Sequence, residues 1–109
     1  MHTCIFCRII SGDLSTEIIA QNDQCIVIKD IAPKAPIHFL IIPKKHVADI
    51  TALDTLDVGS DIFALAQHIS RSYPNAREFK LVINNGHSAG QRVFHLHAHY
   101  LAGGHIESV

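Results

Sequence analysis

Gln91-Arg92-Val93-Phe94-His95-Leu96-His97-Ala98-His99-Tyr100 is the stretch that decides the fold. Three histidines alternate with apolar residues, and β-branched, aromatic and aliphatic side chains flank them, which is the composition of a strand. Side chains of a strand alternate between faces, so His95, His97 and His99 are expected on one side and Phe94, Leu96, Ala98 and Tyr100 on the other. Successive imidazoles then stand about 6.6 Å apart at the Cα, twice the strand rise. A tag or a loose metal-binding tract lacks such strict spacing and such core-like intervening residues. A phased row of imidazoles on an otherwise apolar strand concentrates groups that are costly to bury, as functional sites do.

Working outward, Phe79-Lys80-Leu81-Val82-Ile83-Asn84 reads as the preceding strand, joined by the loop Asn85-Gly86-His87-Ser88-Ala89-Gly90. Before it lies the longest element, a helix that Asp54 or Thr55 can cap and that Ser72-Tyr73-Pro74 ends. Ile62, Ala66, Ile69 and Tyr73 form its buried stripe, extended by Leu53 and Leu56, and Gly59 weakens it by about 1 kcal/mol relative to alanine. His68 reads as a surface or boundary residue. Ile37 to Ile42 is a strand bounded by Pro36 and Pro43, with His38 on the face of Leu40 and Ile42. Glu17-Ile18-Ile19-Ala20 and Cys25-Ile26-Val27-Ile28 flank the polar turn Gln21 to Gln24 as a hairpin, with Cys25 in the core. Cys4 to Ile10 forms a short helix that stops at Ser11-Gly12, which sets the Cys4 and Cys7 thiols on one side. The sum is α+β: about five antiparallel strands, one main helix and a short N-terminal helix, in a single domain spanning 1–109.

The chain has 109 residues, 48% of them hydrophobic, which suits one folded domain with a modest core. Its formal charge is −1 with no basic block, so the electrostatic footprint of a nucleic-acid binder is missing. The apolar run Phe39 to Ile42 ends at Pro43, too short for a bilayer span, and the N-terminus has no signal-peptide pattern. Three cysteines do not make a secreted disulfide scaffold, so a cytoplasmic location is expected.

The triad stretch resembles the signature of the histidine triad (HIT) family, in which three histidines alternate with apolar residues. The run Asp30-Ile31-Ala32-Pro33-Lys34-Ala35-Pro36-Ile37-His38-Phe39-Leu40-Ile41-Ile42-Pro43-Lys44-Lys45-His46 resembles its Hint-like branch. The similarity runs from about Cys4 to about Gly104. It implies a HIT-like fold with a meander sheet, and a homodimer in which two sheets join.

A neutral imidazole can displace a leaving group from phosphorus, and crowding three histidines opposes their protonation. The resemblance implies that His97 is the nucleophile of a nucleotidyl-imidazole intermediate and that His38 and His99 flank it. The short loop before the triad can bring backbone N–H groups close to a phosphate. The resemblance implies a phosphate site at Asn84 and Gly90, with Gln91 at the end of their loop also nucleotide-binding, a ribose-binding carboxylate at Asp30, and a purine site of Ile5, Phe6, Ile9, Ile28 and Ile31. Core packing explains the isoleucines equally well. Where Hint-like proteins commonly carry a small hydroxyl residue after the loop glutamine, this chain has Arg92, which could bind phosphate or face solvent.

Cys4-x-x-Cys7 is by itself compatible with zinc or with buried packing, and a thioredoxin-like role would need a βαβ context that is missing. The resemblance to zinc-bearing branches supplies His46 and His95. With no open position, such a Cys2His2 set implies a structural metal.

The resemblance thus implies hydrolysis of adenosine or guanosine 5′-phosphoramidates to nucleoside monophosphate and amine. His99, His38 and solvent are all candidates for the amine's proton. The alternatives are a dinucleoside polyphosphate hydrolase of the same superfamily and a nucleotide-binding interaction module with little turnover. A zinc-binding structural protein would have no nucleotide affinity at all.

Overall fold

A computed structural model describes residues 3–106. The chain runs α1 (Ile5–Ser11), β1 (Ala20–Gln21), β2 (Cys25–Lys29), β3 (Ile37–Pro43), α2 (Asp57–Ser72), β4 (Phe79–Val82) and β5 (Ala98–Ala102). Short 3-10 helices at Ile50–Ala52 and His87–Ala89 interrupt the two longer loops. All five strands pair antiparallel, as expected, in the order β1-β2-β3-β5-β4. That order is not the expected simple meander. The chain crosses from β3 through α2 to the far edge, forms β4, and returns β5 into the gap between them.

Alternation along the strands gives the sheet two apolar faces. Val27, Phe39, Ile41, Ala98, Tyr100 and Ala102 pack against Val58, Ile62, Leu65, Ala66 and Ile69 of α2. Ile26, Ile28, Leu40 and Ile42 face the other way and meet Phe6 of α1, with Ile9, Ile10 and Val93 beside it. The small helix therefore lies opposite the large one and covers only part of its face. Gly12 ends α1 with φ 89°, the left-handed cap that glycine supplies without strain. The buried phenol of Tyr100 donates to the Ala76 carbonyl and so ties the central strand to the turn after α2.

Several details differ from the pattern expected of the sequence. Neither Asp54 nor Thr55 caps α2, which begins at Asp57 with Leu56 as an N-cap lacking a side-chain bond. Leu56 is 80% exposed and is no part of the stripe, whereas Val58 and Leu65 are. β1 is only two residues long, though Ile19 N–H still donates to Val27 O at 2.8 Å.

The triad segment departs furthest from expectation. Only His99 of the three histidines lies in the ladder, which ends at the pair Ile41↔Ala98. Continuing that register would set Pro43 opposite Leu96, and proline has no N–H to give. Leu96 N–H instead bonds Val47 O at 2.8 Å, so residues 93–97 run as an irregular approach to β5. Leu96 still joins Ala98 and Tyr100 on the α2 side, but Phe94 is half exposed rather than packed beneath the triad.

Candidate functional site

The chemistry-bearing side chains gather on the α1 face, in two groups separated by Phe6. The Phe6 ring packs edge-on against His95 at 5.7 Å and His97 at 5.0 Å between centroids. On one side lie the cysteines, and on the other an apolar cleft.

Cys4 is the N-cap of α1, and its Sγ accepts Cys7 N–H at 3.4 Å. One turn on, Cys7 is buried beside it, as the three-residue spacing requires. His46 arrives from the loop after β3 and His95 from the approach to β5, and the four ligand atoms all lie within 4.8 Å of one another. Cys4 Sγ is 3.4 Å from His95 Nδ1, Cys7 Sγ is 3.2 Å from His46 Nδ1, and the two Nδ1 atoms are 3.1 Å apart. A tetrahedral zinc with sulfur at about 2.3 Å and nitrogen at about 2.0 Å needs donor–donor edges of about 3.3–3.8 Å. The tautomer of His95 also fits. Its Nε2 lies 2.7 Å from the Pro43 carbonyl, which can only accept, so Nε2 carries the proton and Nδ1 presents a lone pair to the thiols. Burial, and then the neighbouring Cys4, raise the pKa of the Cys7 thiol. A divalent cation would reverse that preference. The residues fit a structural Cys2His2 zinc site.

The cleft has a volume of about 340 Å³. Ile5, Phe6 and Ile9 of α1 form one wall, Ile28 the floor, and Ile31 the rim, where it is 97% exposed. Asp30 stands at the end of β2, and Asn84, Gly90 and Arg92 come from the β4–β5 loop. His97 and His99 close the inner end. Gly90 has φ 100°, and a Cβ there would sit 3.4 Å from Asn84 Nδ2, so glycine lets the loop backbone approach the Asn84 amide. Arg92 hydrogen bonds the His87 and Gln91 carbonyls at 3.4 and 3.3 Å, which aligns its guanidinium along the loop at the cleft wall.

Two expected residues sit behind the cleft rather than in it. Gln91 is 2% exposed; its Oε1 accepts Gly86 N–H at 2.8 Å and its Nε2 donates to Ala48 O and Val93 O. It therefore holds the loop closed from within. His38 lies under His99, 2.9 Å from it between Nε2 and Nδ1. Arg92, Val93 and Leu40 line the cleft as well; strand register after Pro36 was a signal for Leu40, since it shares the face of His38.

Backbone contacts assign the tautomers of the remaining histidines. His38 Nδ1 accepts Lys34 N–H at 3.0 Å, so the His38 proton is on Nε2, directed at His99 Nδ1 and, at 3.3 Å, at Asp30 Oδ2. His99 Nδ1 is then an acceptor, and its proton is on Nε2. His97 Nδ1 donates to its neighbour's carbonyl, His95 O, at 2.8 Å, which leaves the lone pair on His97 Nε2. The site thus offers one nucleophilic nitrogen and, beside it, one N–H donor. Asp30, His38 and His99 also converge closely enough to suggest a second metal. They do not fit one: a cation on His38 Nε2 would leave an imidazole with no proton on either nitrogen.

Burial, followed by the charges of His97 and His38, lowers the His99 pKa from 6.5 to about 4, although Asp30 pulls the other way. Burial likewise lowers that of His38. The unfolded chain takes up these protons first, so the folded state loses stability as pH falls from 6.5 through the His99 value of about 4. The expected loss is on the order of a few kcal/mol. Urea unfolding at stepped pH should show that slope, and His99→Gln should flatten it; equal slopes would disprove the assignment.

A model of the HIT domain matches residues 11–106. An uncharacterized HIT-like protein of Chlamydia muridarum is 40% identical over 98% of this chain and 86% of its own length. Among solved structures, a HIT family hydrolase from Clostridium thermocellum superposes with a TM-score of 0.92 at 37% identity, covering 100% of this chain and 97% of that one. A zinc-bound histidine triad family protein from Mycobacterium smegmatis gives 0.83 at 35% identity, over 92% and 74% of the two chains. With sequence and fold in agreement over almost the whole described length, this chain belongs to the HIT domain family.

Proposed function

We propose that the protein hydrolyses purine nucleoside 5′-phosphoramidates to nucleoside monophosphate and amine through a covalent intermediate on His97. The observation that carries this reading is the pinned tautomer of His97: Nδ1 is spent on the His95 carbonyl, which leaves the Nε2 lone pair on a residue that lines a nucleotide-sized apolar cleft. The purine lies between Ile5, Phe6 and Ile9 on one side and Ile28 and Ile31 on the other, while Asp30 accepts from the ribose hydroxyls. Asn84 and the Gly90 backbone hold the phosphoryl oxygens where negative charge develops, and Gln91 keeps their loop in shape.

The His97 Nε2 lone pair attacks the α-phosphorus and forms a P–N bond. The P–N bond to the leaving amine breaks with its electron pair on the amine nitrogen, which takes its proton from solvent while the His99 Nε2–H hydrogen bonds to it. His38, held by the Lys34 N–H, keeps His99 in the donor tautomer. Water then attacks phosphorus and loses its proton to solvent, and the P–N bond to His97 breaks with its pair returning to the ring.

Cys4, Cys7, His46 and His95 hold zinc in the same reading. Bound there, the metal supplies structural cross-linking of α1 to the segment that carries His97. The zinc-bound relative supports this. Two copies join as a homodimer, supported by the open outer edge of β4 and the apolar patch beside it, where Phe79 is 40% and Phe63 68% exposed. Light scattering of the purified protein should give twice the chain mass; a monomer that remains fully active would remove the dimer from the account. A cytoplasmic location and no nucleic-acid partner complete the reading; no helix among the described residues is long and apolar enough to cross a membrane.

The test follows release of a fluorescent amine from its adenosine 5′-phosphoramidate. Release by wild type is expected; well-folded protein that binds AMP and releases no amine would overturn the reading.

A further inference from the structure

A second cavity, of about 490 Å³, adjoins the nucleotide cleft and shares Asp30, Asn84 and His99 with it. His97 lines the first cavity and not the second. In an in-line displacement the departing group leaves on the side opposite the attacking atom. With phosphorus between His97 and His99, a group leaving opposite His97 would move past the His99 N–H toward this second cavity.

Its far walls are cationic. Lys34 comes from the loop before β3, where its own N–H is anchored on His38. Lys80 comes from the edge strand, and the register Lys80↔Leu101 and His38↔Leu101 puts Lys80, Leu101 and His38 in one row on the site face. His105 stands at the mouth. Among the described residues the one carboxylate lining the cavity is Asp30, which is engaged by His38 and by Ala32 N–H at 2.8 Å. Among the described residues, neither lysine forms a salt bridge, although Lys45 and Asp54 do. Among the described residues two ammonium groups face a single carboxylate, and that excess of positive charge makes a site for an anion.

We propose that the second cavity is a leaving-group subsite for amines that carry an anionic group, which Lys34 and Lys80 recognise. The inference rests on the displacement at His97 described above, and it narrows the substrate to phosphoramidates of acidic or phosphorylated amines.

The test compares adenosine 5′-phosphoramidates of ethylamine, glutamate and phosphoethanolamine on wild type, Lys34→Glu and Lys80→Glu. Wild type should favour an anionic amine by about tenfold or more in kcat/KM; Lys80→Glu should remove that advantage while changing the ethylamine substrate less than about twofold, and Lys34→Glu should remove it relative to that variant's own rate on ethylamine. Whichever of the two anions gains more identifies the carboxylate or the phosphate as the recognised group. Calorimetry of AMP and ADP supplies a readout without turnover: ADP, with its extra phosphate, should bind the wild type more tightly, and the reversals should erase the difference. Equal kcat/KM for all three amines, or equal losses on all three in the variants, would overturn the subsite. Absence of any turnover with AMP binding intact would sink the phosphoramidase reading instead. In that case a charge-dependent ADP preference upholds the anion site, and equal affinity for AMP and ADP overturns it.

Discussion

Replacing His97 with alanine should lower amine release by about four orders of magnitude or more, because it removes the atom that bonds phosphorus rather than one that assists it. The fold should survive. The imidazole is half buried, and its one assigned hydrogen bond, to His95 O, contributes about 1 kcal/mol. AMP affinity should stay within about threefold of wild type, since Asp30 and the apolar walls are untouched. This split between turnover and binding also separates the enzyme from a nucleotide-binding interaction module. A loss of only about tenfold would mean that water attacks directly and that His97 merely positions the phosphate.

The second large effect is on stability. Cys7→Ala removes a buried ligand from the set that holds α1 to the His95 segment, and it should abolish stoichiometric zinc and cost several kcal/mol, on the order of 10 °C or more in Tm. A simple packing loss would be smaller, about 1 kcal/mol for a side chain of this size. Chelator distinguishes the two. Wild type stripped by chelator should fall to the Tm of Cys7→Ala, and the variant should not respond at all. Wild type with no stoichiometric zinc and an unchanged Tm in chelator would exclude the metal.

What could be read in the sequence follows physical range. Gly12 after an apolar turn, the Pro36 and Pro43 brackets of β3, and the stripe Ile62, Ala66 and Ile69 are local signals, and each element lies where those residues put it. The cap of α2 failed because Asp54 and Thr55 lie too far from the first helical residue, Asp57. The insertion of β5 between β3 and β4 depends on pairing across long separations, which no window of the chain expresses. The strand expected through all three histidines is cut short by a residue on a different strand, Pro43, which that register would set opposite Leu96.

The site divides in the same way. Alternation and spacing singled out His97, His99 and the Cys4–Cys7 pair, while His46, Asp30 and the purine wall came from family resemblance. The tautomers were illegible. They depend on the Lys34 N–H, the Pro43 carbonyl and the His95 carbonyl, and backbone groups have no letter in a sequence. Resemblance counts Gln91 among the nucleotide-binding residues, yet its amide is consumed inside the glycine loop. Nothing local marks Lys80, because its relation to His38 exists only through Leu101.

The most direct test of the central claim is to trap the intermediate. Wild type would be mixed with excess adenosine 5′-phosphoramidate, quenched in alkali (which spares phosphorus–nitrogen bonds) within the first turnover, and analysed by mass spectrometry of the intact chain and its peptides. An AMP adduct on the peptide bearing His97, formed before product appears and absent from His97→Ala, is the predicted result. Product forming in that first turnover with no adduct on His97 would contradict it.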